Sequence, residues 1–133
     1  MYYWQQPKRN KYGNKKVEYM GQTFDSKKEL NRYLELSMLE KGGIISNLKT
    51  QVEFILIPNQ YEPVEKILKS GKVKIEQKLI EHKLSYIADF TYLDKQGNLV
   101  VEDVKSDITR KMEKYIIKRK LMLYLHKLKI SEI

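Results

Sequence analysis

Cysteine is absent from the 133 residues. That absence excludes a disulfide scaffold, thiolate zinc sites and thiol nucleophiles together. Long apolar runs are lacking too. No stretch approaches the roughly 20 apolar residues that span a bilayer, and the aromatic, basic N-terminus has no apolar core of an export signal. These features predict a soluble, intracellular protein with no membrane partner. Histidine is scarce: His82 and His126 stand alone, without metal or HNH spacing, and read as ordinary surface or satisfied residues. A chain of this length makes one domain that buries a core without metal or disulfide staples.

Acidic charge is the other thing in short supply. Lys and Arg number 26 against 17 Asp and Glu, a net charge of +9. Such an excess speaks about partners rather than fold, and nucleic acid is the first candidate. The first 16 residues carry Lys8, Arg9, Lys11, Lys15 and Lys16 with no acid before Glu18, interleaved with Tyr2, Tyr3, Trp4 and Tyr12. Cations neutralise phosphates and aromatics stack on unpaired bases, although a solvated terminus accounts for the same composition. The organisation expected is a basic aromatic arm, residues 1–20, followed by one domain, residues 21–133.

Within that domain Ser26 and Glu29 have the spacing of a capping box. Leu30, Tyr33, Leu34, Ser37 and Met38 then recur on one helical face until Gly42-Gly43. Residues 52–57 read as a buried strand closed by Pro58. Residues 59–78 leave two options open: a short helix over 62–70 ending at Gly71, or a hairpin turning at Ser70-Gly71. Two strands follow, 84–93 and 99–105. Thr109 is placed to cap a helix over 111–126 with Met112, Tyr115, Ile116 and Leu123 inward, and residues 129–133 suit a last strand. Helix, strand, hairpin, helix, strand predicts an α/β domain, a mixed β-sheet flanked by helices.

The loop Lys95-Gln96-Gly97 fits a three-residue hairpin turn with glycine at its left-handed position. Asp94 then faces Asn98, paired positions sum to 192, and Asp89 lies opposite Asp103. Directly opposed side chains have Cβ atoms about 4.5–5.5 Å apart, where like charges destabilise a sheet. A hard cation such as Mg²⁺ or Mn²⁺ would reconcile them. Lys105 is two residues beyond Asp103, on the same face, whereas Glu102 points away. The plainer reading makes Asp89 and Asp103 edge residues neutralised by Lys105. Against it, both strands look buried on both sides, with Tyr86, Ala88, Phe90, Val100 and Val104 on one face and Ile87 and Val101 on the other. Buried charge of this kind marks metal or catalytic sites.

The segments Ile87-Ala88-Asp89 and Glu102-Asp103-Val104-Lys105 resemble the signature of the PD-(D/E)XK nuclease superfamily, with Ala88 where the proline usually stands. The wider pattern from Phe24 to Glu29, through Tyr86 to Phe90, to Thr109, Tyr115 and Lys118 to Leu121 is similar to small phage-encoded members related to recombination and Holliday-junction-resolving endonucleases. The resemblance covers residues 20–133. It implies a restriction-endonuclease-like core and Mg²⁺-dependent phosphodiester hydrolysis, with Mn²⁺ as substitute, on branched or duplex DNA. It also implies a homodimer, since two cuts resolve a junction, and residence in the cytoplasm of a bacterial host. Carried over residue by residue, Asp89 becomes the central metal ligand, Asp103 the second and the Val104 carbonyl a third. Lys105 orients or activates the attacking water. Glu29 resembles the additional acid beside the metal, although a helix cap explains it equally. Arg110, Lys114, Lys118 and Arg119 join Lys8, Arg9 and Lys11 as candidates to grip DNA, against the alternative of a solvated basic face. Two other functions stay open: a non-catalytic nucleic-acid-binding module on the nuclease fold, and a basic protein-interaction factor.

Overall fold

The computed structural model describes residues 15–133. Val17–Tyr19 (β1) and Gln22–Phe24 (β2) pair as a small antiparallel hairpin. The last part of the expected arm is therefore a strand of the folded domain, while Lys8, Arg9 and Lys11 lie outside the described residues. Lys27–Lys41 (α1) begins as its sequence predicts: the Ser26 hydroxyl accepts from the Glu29 N–H at 3.1 Å. Then come Ser46–Ile57 (β3), Gln60–Ile67 (β4), Val73–Glu81 (β5), Leu84–Leu93 (β6) and Leu99–Asp103 (β7). Asp107–Arg110 (α2) is one short turn, Glu113–Leu121 (α3) passes into a π-helical turn over Met122–His126, and Ile130–Glu132 (β8) is the last strand.

The central sheet has four strands in the order β3-β6-β7-β8, antiparallel except for the β7–β8 pair. The β6–β7 register runs Leu93 opposite Leu99 to Phe90 opposite Glu102, the predicted sum of 192. Gly97, at φ +82°, closes the turn and its N–H donates to Asp94 O at 3.0 Å. The two faces of β7 go to two cores. Val101 packs with Tyr115, Met122 and Ile130 on the α3 side, and Val100 packs with Leu36 and Phe24 on the α1 side. The architecture is thus a mixed sheet flanked by helices, an α/β domain.

One open alternative is settled and three local expectations are corrected. The ambiguous stretch 59–78 is a hairpin: β4 and β5 pair only with each other among the described residues, around Gly71 at φ +81°. The α2 turn is capped by Ser106, whose hydroxyl accepts from the Thr109 N–H, so Thr109 is not the cap and α3 starts later than expected. Its inward residues are Tyr115 and Met122, while Met112 and Leu123 are exposed, because a short helix and a π turn replace one continuous helix and rotate the apolar face. In α1 the core residue is the fully buried Leu36, and Met38 is exposed. The inward face of α1 includes Glu29 and Arg32, whose charge hides it from an apolar periodicity.

Strict alternation also fails in β6. Tyr86 and Ala88 belong to the α3-side core, but Phe90 and Tyr92 belong to the α1-side core. The change of face falls at Asp89, the residue missing from the ladder between Val52–Ala88 and Thr50–Phe90. Its neighbour across the ladder, Gln51, has φ +52°, a left-handed conformation that L side chains seldom adopt in a strand. Burial on both sides of β6 consequently does not extend to Ile87, which is 51% exposed.

The rotated face of α1 is directly testable. Leu36→Ala should cost about 2–5 kcal/mol, the usual range for emptying a buried leucine site. Met38→Ala should cost less than about 0.5 kcal/mol, as surface changes do. Urea denaturation of the two variants decides; equal losses would restore the apolar periodicity as the true inward face.

A candidate active site at the strand crossing

The change of face brings the predicted residues to one place. Asp89 is nearly buried, and its Oδ2 accepts the Val104 N–H at 2.9 Å across the β6–β7 ladder. Asp103, 1% exposed, sits beside it. Its Oδ2 accepts the Tyr86 hydroxyl at 2.6 Å and pairs with Lys105 Nζ at 3.2 Å. Lys105 also lies over the Tyr115 ring, 5.1 Å from its centre.

Glu29 serves the helix cap and also faces the strand acids. Its N–H takes the Ser26 cap, and its Oε2 accepts from the Asp25 N–H at 3.2 Å, so it serves the start of α1. It is nonetheless buried, and its Oε1 shares the Gln51 carboxamide with Asp89: Gln51 Nε2 stands 3.3 Å from Glu29 Oε1 and 3.3 Å from Asp89 Oδ1. One amide group thus bridges the helix acid and the strand acid.

Burial pushes the Asp89 carboxyl up to about 7, helped by hydrogen bonding and charge from Asp103 and opposed by the Val104 N–H and Lys105. Glu29 is pushed up to about 7 by burial and then by Asp89, with the Asp25 N–H and Lys105 acting against the rise. Burial is the main reason that both acids hold their protons towards neutrality, and the neighbouring acid adds to it. Tyr86 is raised above the ordinary phenol range by burial and by Asp103, so it stays a donor.

These groups fit a divalent cation in chemistry. Asp89 and Asp103 are adjacent hard oxygen ligands, and the Gln51 NH₂ already occupies the space between Glu29 and Asp89 as a partial positive charge. As the side chains stand, no three Asp, Glu or His residues among the described ones close on a single point. Asp89 and Asp103, with Glu29 one Gln51 carboxamide away, are the carboxylates gathered at this crossing.

Gln51 and Tyr86 were not expected here. Tyr86 reads as an apolar face residue, and nothing in its neighbours announces the hydroxyl's partner. Gln51 lies one residue before the strand that the apolar run predicts; continuing the ladder by one step would have set it against Asp89. Of the basic candidates, Lys114 and Lys118 line a cavity beside Lys105. Arg110 and Arg119 turn to Glu132 on β8, at 3.3 and 3.6 Å. Glu102 points away as expected, buried against Arg32 and the Tyr92 hydroxyl. His126 meets the Ile55 carbonyl at 2.8 Å, an ordinary structural contact.

A mixed sheet with a buried acid pair and a lysine at its strand crossing defines the domain. The chain belongs to the family described as a protein of unknown function (DUF1064), whose model matches residues 9–132. No curated protein and no solved structure matches it. Among the described residues no helix is long and apolar enough to cross a membrane.

A raised carboxyl pKa favours the folded state while the acid is protonated. That stability is fully present below the unfolded value, near 4, and is lost as pH rises through about 7. Asp89→Asn keeps an acceptor for the Val104 N–H but never ionises. In metal-free buffer it should melt at least about 3 °C above the parent at pH 8, and the gap should close towards pH 4. A melting difference that does not change with pH would contradict the burial assigned to Asp89.

Proposed function

We propose that the protein is a metal-dependent nuclease of the PD-(D/E)XK type that hydrolyses phosphodiester bonds in DNA, with branched or recombining DNA as its substrate. The observation that carries this reading is the buried, opposed pair Asp89 and Asp103 with the Lys105 ammonium 3.2 Å from Asp103. The helix before the sheet, the sheet order and the helix between β7 and β8 also suit a restriction-endonuclease-like core.

In this reading Asp89 and Asp103, with the Val104 carbonyl and Glu29, hold Mg²⁺ or Mn²⁺. A bound divalent ion supplies Lewis-acid charge at a phosphate oxygen and lowers the pKa of water. Lys105 orients the attacking water and offsets the negative charge that grows on the pentavalent phosphorus. Tyr86 fixes Asp103 by its hydrogen bond, and Lys105 is steered by Asp103 and the Tyr115 ring. Water adds to phosphorus, the bond to one ribose oxygen breaks, and that oxygen leaves with a proton. A homodimer belongs to the same reading, because resolving a junction takes two cuts.

Cleavage assays on branched and linear DNA with Mg²⁺, Mn²⁺ or EDTA test it. Asp89→Asn and Asp103→Asn should each abolish cleavage and reduce the stabilisation that added metal confers. Lys105→Ala should lower cleavage at least about 100-fold, a typical loss for one transition-state group, while metal and DNA still bind. Activity surviving in either Asn variant, or in excess EDTA, would sink the proposal. DNA binding without cleavage under any metal would favour a binding module on the same fold.

A further inference from the structure

Beside the acid pair lies a cavity of about 350 Å³ whose lining is cationic at one part and apolar at another. Lys105, Lys114 and Lys118 bring three ammonium groups to it, and among the described residues no Asp or Glu lines it. Ile87, Met112 and the ring of Tyr115 form apolar wall. Ile87 is the odd residue of β6: the run from Ala88 to Tyr92 is buried, yet Ile87 is 51% exposed, and Met112 opposite is 39% exposed. An apolar residue in the middle of a central strand is usually covered. Here it faces an open space of a size typical of small-ligand sites, roughly 300 Å³ and upward.

We propose that this cavity is a nucleotide pocket, holding one unpaired nucleotide next to the phosphate that is cut. Its phosphate lies on Lys114 and Lys118, and its base lies against Ile87 and Met112. The proposal rests on the nuclease reading and narrows its substrate. A base in a continuous duplex is stacked and cannot enter a pocket without leaving the stack. Strands with an unpaired nucleotide at the cut, such as flaps, branch points and single strands, enter freely.

Two further features agree. Tyr86 lines the cavity and also donates to Asp103, so the pocket wall and the acid pair share a side chain. The Lys118 ammonium is held below the ordinary lysine range by burial, then by Lys114 and Lys105. Lys105 is paired with Asp103, whereas no carboxylate among the described residues lines the cavity beside Lys114 and Lys118, and an incoming phosphate would relieve their crowding.

Equilibrium binding in EDTA, by anisotropy of a labelled oligonucleotide, separates this proposal from cleavage. The wild type should bind a short single strand more tightly than a blunt duplex of equal length. Lys114→Gln/Lys118→Gln should weaken single-strand binding about tenfold and lower its salt slope by about 0.7, the contribution of the one phosphate they share on a single strand. Ile87→Ala, an exposed position that the fold tolerates, should weaken single-strand binding severalfold with the salt slope unchanged. A mononucleotide such as dAMP should compete at least tenfold better than inorganic phosphate. Equal losses on duplex and single strand, no loss in the variants, or equal competition by inorganic phosphate would overturn the pocket. The expected binding pattern in a protein that cleaves no DNA would instead overturn the nuclease reading and leave the pocket standing.

Discussion

Asp89, Asp103 and Glu29 are three acids drawn into the protein around one stretch of the sheet, and much of the fold is arranged around that concentration of charge. Water would normally solvate such groups, and removing it favours their neutral forms. The neighbours supply partial compensation: a backbone N–H from Val104, a hydroxyl from Tyr86, an ammonium from Lys105 and an amide from Gln51. They come from three places in the chain: Gln51 on β3, Tyr86 on β6, and Val104 and Lys105 just past β7. The compensation stops short, and Asp89 and Glu29 respond by holding their protons up to about pH 7.

Glu102 shows what full compensation looks like one residue away. It is as buried as Asp103, on the opposite face of β7. Arg32 grips both of its oxygens and the Tyr92 hydroxyl completes the group. Breaking a buried pair of this kind costs several kcal/mol even where the pair itself adds little net stability. Glu102 therefore locks α1 to the sheet. That lock fixes the helix whose first turn delivers Glu29, three residues before Arg32, to the crossing.

Much of the site was legible in the sequence because it depends on counting. Gly97 sets the turn, the turn sets the register, and a period of two places Asp89, Asp103 and Lys105. Ser26 and Glu29 announced their helix by capping chemistry alone. What escaped was whatever breaks period. A left-handed Gln51 carries no sequence mark, since glycine is the usual occupant of that conformation, so the change of face at Asp89 could not be counted. On α1, Leu30 and Tyr33 face the core as counted, but Met38 does not, and the inward positions Glu29 and Arg32 escaped because they bear charge for specific partners. The β4–β5 hairpin was ambiguous since its glutamates and lysines suit an exposed helix as well as an exposed ribbon. The helical run ends at His126 as counted, but a π turn adds a residue to the helical repeat and shifts Leu123 outward.

Net charge and clustering alone would have treated residues 110–120 as one basic surface. The fold divides them. Glu132 on β8 takes Arg110 and Arg119, and with the Tyr115 hydroxyl at 2.9 Å it ties the helical segment to the last strand. Lys114 and Lys118 are left to the cavity, at a spacing of four that stacks them on one side of α3. Structural cations thus hold the helix in place, and the helix holds the remaining cations beside Lys105. The acid cluster and the lysine cluster meet at Asp103 and Tyr86, so negative and positive fields abut within one strand's width. In the proposed nuclease reading a phosphate chain meets the lysines while one of its phosphates faces the acids; neither cluster alone would both retain the strand and present it for attack.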